Sequence, residues 1–199
     1  MASTRKKKGK LAYNRRLFSR APKLIGLDLG CGMFKQEPIY GMPFIGLDMV
    51  KREGVDIVHN LEKFPWPVPA NSIQIVKASH VWEHIEPKYR MEFMDECWRV
   101  CRHGGQLWLS APHAGSVLEA GHPCHYTCPN ELTFRFFDPD YRLFHSCSYK
   151  QPKPWKIMRN DPNLQGCIEL IMEPRKKPNG RPEPFNKPKK KDYVHIEGI

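Results

Sequence analysis

Residues 24–32 read LIGLDLGCG, an apolar run that closes on a carboxylate, Asp28, and on two glycines, Gly30 and Gly32. An apolar stretch without polar alternation suits a strand covered on both faces, as in the centre of a parallel sheet. Such a strand needs parallel neighbours, and four further runs can supply them: FIGLD at 44–48, VDIV at 55–58, IQIVKA at 73–78 and QLWLSAP at 106–112. The expected fold class is therefore α/β.

Each run ends on residues suited to a ligand crevice, which in open α/β sheets lies at the strands' C-terminal edge. Glycine after the first strand lets the backbone approach a bound molecule. Asp48 closes the second strand and falls 20 residues after Asp28, the spacing of an acid that accepts ribose hydroxyls beyond a glycine-rich loop. His59-Asn60-Leu61 follows the third strand, and Ser79-His80-Val81-Trp82-Glu83-His84 follows the fourth. His80 and His84 are the general-base candidates, because imidazole titrates near neutrality.

Taken in order, LDLGCG, IGLDM, DIVHNLEKFPWP, ASHVWEHI and CWRVCRHGG before LWLSAPH resemble a class I S-adenosylmethionine-dependent methyltransferase, within the small subgroup with LxLGCG and SHVxEH segments. The resemblance covers about residues 24–137 and departs from the pattern at Ala70 and Gln74, where acids are usual. It implies a Rossmann-like, mostly parallel seven-stranded sheet and S-adenosylmethionine as cofactor. It also implies cofactor contacts from Asp28, Gly30, Cys31, Gly32, Asp48, Asn60, Leu61 and Ser79. In that set Asp28 fixes the loop, the amides of Gly30 to Gly32 hold the methionine carboxylate with help from Lys35, and Asn60 with Leu61 meets the adenine. Asn60 is equally suited to capping its own turn.

The chain has 199 residues and a formal charge of +11, but the excess sits at its ends. Residues 1–23 carry nine basic and no acidic side chains, and residues 173–199 carry eight basic against four acidic, which leaves residues 24–172 slightly acidic. The expected organisation is a basic arm (1–23), one methyltransferase domain (24–172) and a flexible Pro/Lys-rich tail (173–199). A short amphipathic helix is possible within residues 11–19. Seven cysteines without a secretory leader, and no run of transmembrane length, predict a soluble cytoplasmic protein with reduced thiols.

Pro38, Gly41 and Pro43 between the first two strands predict a shortened first crossover helix. A helix is expected from Pro87 to about Cys101, with Met91, Met94, Cys97, Trp98 and Cys101 on its apolar face and Gly104-Gly105 as its left-handed stop. Residues 129–137 read as a short helix with Leu132, Phe136 and Phe137 apolar. Residues 143–149 and 166–172 read as two closing strands, joined by an Asn160-Asp161-Pro162-Asn163 turn. His122, Cys124, His125 and Cys128 offer soft ligands. So tight a knot strains tetrahedral closure, so no metal is expected there and a lid over the substrate is favoured.

The methyl acceptor is not legible in these residues. A small molecule suits the near-neutral core, and a nucleic acid suits the basic ends, with Tyr126, Phe134 or Trp155 for stacking. A silent methyltransferase fold that binds a partner or nucleic acid through its tails is the non-enzymatic alternative.

Overall fold

All four residues of β1 (Gly26–Leu29) are buried, which accounts for the unbroken apolar run. The structure is a computed structural model that describes residues 18, 24–146 and 150–185. β1 pairs in parallel with β2 (Phe44–Asp48) on one side and with β4 (Ile73–Ser79) on the other. β3 (Ile57–Val58) extends the sheet beyond β2, and β5 (Cys101–Pro112) pairs in parallel with β4. β7 (Cys167–Pro174) runs antiparallel beside β5 and carries β6 (Trp155–Pro162) at the edge. The seven strands lie in the order β3-β2-β1-β4-β5-β7-β6, the methyltransferase variant of the Rossmann-like fold.

Among the described residues no helix lies between β1 and β2 or between β2 and β3. The first crossover instead folds as a tight turn, with an Ile39–Met42 bridge and positive φ at Tyr40 and Gly41. Its expected shortening is thus complete.

α1 (Arg90–Val100) forms the other layer, burying Phe93, Met94, Cys97, Trp98 and Val100. Met91 is only half-buried and Phe93 takes its place in the core. Glu96 on this helix accepts from Trp66 N at 2.8 Å and pairs with Arg99, whose guanidinium donates to the carbonyls of Trp66 and Val68. This cluster fixes the proline-rich loop between β3 and β4, because it satisfies backbone groups that the prolines leave without a ladder.

Gly104 and Gly105 do not stop the helix. α1 ends at Val100 with Cys101 already extended, and the glycines lie inside β5, in a bulge between the Ile73–Cys101 and Ile75–Gln106 pairs. A positive φ at Gly104 and the approach of Ile73 and Gln74 carbonyls to Gly105 explain why glycine occupies both positions.

Two further expectations change. Residues 142–146 form a 3-10 turn (Arg142–Ser146), not a strand, while residues 147–149 lie outside the described set. The penultimate strand is β6, which contains the residues expected to be a connecting turn; the actual turn is at 163–166. An edge strand tolerates Pro162 and the charged run before it.

The segment at 129–137 contains α3 (Glu131–Arg135), after a one-turn α2 (Val117–Ala120). Phe134 is its buried residue; of the residues expected to be apolar, Phe137 is buried and Phe136 packs against the core, but Leu132 is exposed. Phe134 and Trp155 are fully buried, so neither is available to stack on a base.

The boundary expected at residue 172 falls inside β7. The chain beyond it folds back: Lys177 N donates to Arg181 O, and Arg175 reaches Asp138 at 3.0 Å. Of the N-terminal arm only Phe18 is described; it is helical, half-buried and packed against the core. The rest of the arm, the Lys189 to Lys191 run and most of the expected amphipathic helix lie outside the described residues.

Candidate active site

The C-terminal ends of β1, β2 and β4 and the turns that follow β3 and β4 enclose a cleft of about 420 Å³. Gly30, Asp48, Asn60, Leu61, His80 and His84 line it together, with Met49, Glu62, Val81, Ile85 and Tyr126. That volume lies within the range of small-ligand sites.

Asp48 is held by two backbone amides: Gly32 N donates to Oδ2 at 2.9 Å and Val50 N to Oδ1 at 2.8 Å. A carboxylate accepts up to about four hydrogen bonds, so both oxygens keep capacity toward the cleft. Gly32 adopts φ +55 and opens onto empty space, while a side chain at Gly30 would meet Val81 at 2.7 Å. Asn60 Oδ1 caps its own turn through Glu62 N at 2.8 Å, whereas its Nδ2 has no partner among the described residues. Asn60 therefore caps its own turn and also lines the cleft.

Asp28 is almost fully buried and lies behind this wall, accepting from Gln36 N at 2.7 Å with Lys77 Nζ 3.7 Å away. Burial pushes its carboxyl above the ordinary value, against the opposing pull of the Gln36 amide and Lys77. It ties the loop and does not line the cleft.

Four of the expected cofactor contacts meet a different arrangement here. Gly30 N and Cys31 N both donate to Leu47 O, and Gly32 N is taken by Asp48, so the loop amides are engaged within the protein. Lys35 pairs with Asp56 at 3.0 Å and lies outside the cleft lining. Cys31 is buried toward Gly46, with its thiol pushed up to about 11 by burial. Ser79 points into a separate hollow with Lys77, Trp108 and Ser110, because alternate residues of β4 face opposite sides.

His80 has φ +54, a conformation uncommon for a non-glycine residue and a frequent mark of a functional position. Its Nδ1 lies 3.1 Å from Glu83 Oε1, and this hydrogen bond, the largest influence, raises the imidazole's pKa. Glu83 is completely buried, and its other oxygen has no hydrogen-bond partner.

Across this wall lies a second cleft of about 390 Å³, formed by His80, Glu83, His84 and the segment from Pro112 to His125. The segment is fastened from both sides. Tyr126 N donates to Glu83 O at 3.0 Å, and Arg90 donates to Thr127 Oγ1 at 2.6 Å and to Thr127 O at 2.8 Å. Asn130 caps α3 through a reciprocal capping box with Thr133. Cys124 and Cys128 join no cluster of three or more ligand groups among the described residues. No local pattern in the sequence signals that Glu62, Ile85 and Tyr126 meet at the first cleft. Their partners are distant in the chain.

Residues 15–109 match the family model described as a methyltransferase domain. The fold is similar to a SAM-dependent methyltransferase from Archaeoglobus fulgidus, with TM-score 0.54 and 16% identity over 80% of this chain and 90% of that one. It is also similar to the Burkholderia thailandensis 1,6-didemethyltoxoflavin-N1-methyltransferase, solved with S-adenosylhomocysteine, with TM-score 0.52 and 11% identity over 80% and 74%. The structure of the Haloferax volcanii Trm112 methyltransferase activator with its methyltransferase gives TM-score 0.52 and 11% identity over 80% and 88%. No curated protein matches the sequence. No helix among the described residues is long and apolar enough to cross a membrane. Residues 15–109 thus match a methyltransferase domain, and the sheet that carries the cleft at its strand ends has the fold of the S-adenosylmethionine-dependent methyltransferases to which it is similar.

Proposed function

We propose that this protein methylates a small acceptor bearing an ionisable oxygen or nitrogen, with the cofactor in the first cleft and the acceptor in the second. The observation that carries this reading is the shared wall: His80 and His84 line both clefts. Methyl transfer is an in-line displacement, so donor and acceptor must approach from opposite sides of one opening. S-adenosylmethionine supplies an activated methyl group, and the protein's part is to orient, to exclude water and to accept a proton.

In this reading Asp48 takes the ribose hydroxyls and Asn60 Nδ2 with Leu61 meets the adenine. Gly30 and Gly32 leave room for the methionine end, and Asp28 holds their loop. Cys31, Ser79 and Lys35 have no direct part. His84 is exposed at the shared wall and is the base that takes the acceptor's proton, while the His80–Glu83 pair sets the turn that presents it. The apolar Val117 and Leu118, beside His122 and His125, favour a compact, partly aromatic or apolar acceptor over a polyanion.

A panel of phenols, amines and heterocycles, assayed with methyl-labelled cofactor, tests the reading. Replacing His84 by Ala should lower kcat on any acceptor found by about a hundredfold or more while cofactor affinity stays near that of the parent. Unchanged kcat would remove His84 from the chemistry. Transfer to nucleic acid alone, falling steeply with salt, would reassign the acceptor and bring the basic ends into the site.

A further inference from the structure

We propose that Glu83, His84 and His125 form a binding site for a divalent transition-metal ion of the zinc class, set in the wall between the two clefts. One ligand atom from each lies within 4.8 Å of the others. About 3.4 Å is expected between ligands around a tetrahedral ion with bonds near 2.0–2.2 Å, so modest side-chain rotation closes the set.

Three independent features of these residues favour a cation. Glu83 is completely buried, with Oε1 engaged by His80 and Oε2 left without a partner. A buried carboxylate oxygen is costly unless paired or bound to a metal. His125 Nδ1 lies 3.3 Å from the carbonyl of Glu119, which can only accept, so Nδ1 carries the proton and Nε2 keeps its lone pair. A backbone carbonyl on the far nitrogen is also the usual outer partner of a metal-bound histidine. The His84 ring makes no hydrogen bond to a described residue, and it meets His125 edge-on with centroids 5.0 Å apart.

The scaffold holds the three together before any ion arrives. Glu83 and His84 share one turn, and the Tyr126 N to Glu83 O bond pins the neighbour of His125 to that turn. His122 stacks on His125 at 4.7 Å and accepts from Cys124 N, so it buttresses the site from outside the ligand set. Two imidazoles and one carboxylate with a fourth position open make a donor set suited to zinc in catalytic, rather than purely structural, sites.

The role of such an ion rests on the methyl-transfer reading; its binding does not. Glu83, His84 and His125 all line the second cleft, so an ion held by them borders the acceptor, which can take its fourth position. With the ion bound, His84 is its ligand and no longer the base, and an acceptor hydroxyl or amine taking that position releases its proton to solvent instead. Its lone pair then attacks the methyl carbon, the carbon–sulfur bond breaks, and the bonding pair stays on sulfur to give S-adenosylhomocysteine.

The test uses the full chain, stripped with chelator and without cofactor, titrated with Zn²⁺ by calorimetry and with Co²⁺ by visible absorption. One equivalent should bind, Co²⁺ should show the intense bands of low-symmetry four-coordination, and His125→Ala and His84→Ala should each weaken binding by at least about a hundredfold. Cys124→Ala, at an exposed position, should leave binding unchanged. The two histidines lie outside the core, so their variants remain informative even if a change at buried Glu83 prevents folding. Absence of saturable binding at submillimolar Zn²⁺, binding indifferent to both histidine variants, or binding lost with Cys124→Ala would each overturn the assignment. Cofactor titration of the same metal-free protein reports separately on the methyltransferase reading.

Discussion

Lys176 offers a prediction in which the sign of the effect is as informative as its size. The side chain is wholly buried beyond β7, with Nζ donating to Asn71 Oδ1 at 3.0 Å, to Cys101 O at 2.7 Å and to Trp98 O, and lying 3.8 Å from the centroid of the Trp98 ring. Burial pushes the ammonium down to about 8 from its ordinary value of 10.5. Below pH 8 the group is charged in both folded and unfolded chains, so it adds no pH dependence. Between about 8 and 10.5 the unfolded chain holds the proton and the folded chain releases it, so stability contributed by this group rises with pH. At about 1.4 kcal/mol per unit, the full window amounts to about 3 kcal/mol. Lys176→Met keeps the stem and abolishes the titration. Urea unfolding of both proteins at pH 7, 8, 9 and 10 should show the parent gaining about 2–3 kcal/mol relative to the variant across the upper two units. A difference that stays flat, or shrinks as pH rises, would refute the reasoning. It would mean that the three oxygens and the indole face outweigh the loss of solvent and keep the ammonium charged.

Two further substitutions test the walls of the site. Asn130→Ala removes the capping box that starts α3 and should cost about 1 kcal/mol, read as a fall of about 2–4 °C in Tm. Because α3 closes the segment over the second cleft, acceptor KM should rise more than cofactor Kd. Gly30→Ala places a Cβ at a positive φ and 2.7 Å from Val81 Cγ2, so it should cost about 1–2 kcal/mol in thermal unfolding and weaken cofactor binding in calorimetry.

The parts legible in the sequence are those whose physics is local. β1, β2 and β4 were readable because a doubly covered strand must be apolar at successive positions, and Asp48 because its distance from the glycine loop is a property of one βαβ-like unit. β6 was not, because an edge strand turns Lys156, Arg159 and Asp161 to solvent and so carries the composition of a turn. Gly104 and Gly105 depart from expectation for a related reason: a glycine pair after a helix looks the same whether it caps the helix or bulges the next strand. Ser79 illustrates a signal that was present, since the period of two groups it with Lys77, away from the cleft that His80 enters after the chain turns. The meeting of Glu83 with His125 was beyond local reading. It depends on a loop 42 residues later folding back onto the end of β4, and only the Tyr126 and Arg90 hydrogen bonds show why it does so.

The most direct test of the central account is calorimetric titration of the purified protein with S-adenosylmethionine and S-adenosylhomocysteine, beside Asp48→Ala. The account predicts saturable one-to-one binding by both ligands. Binding should weaken about tenfold to a hundredfold when the carboxylate is removed, the worth of one or two charge-assisted hydrogen bonds. Absence of heat and of thermal stabilisation at millimolar ligand, or binding indifferent to Asp48, would contradict it. The first of these results would leave a methyltransferase fold that serves as a binding module.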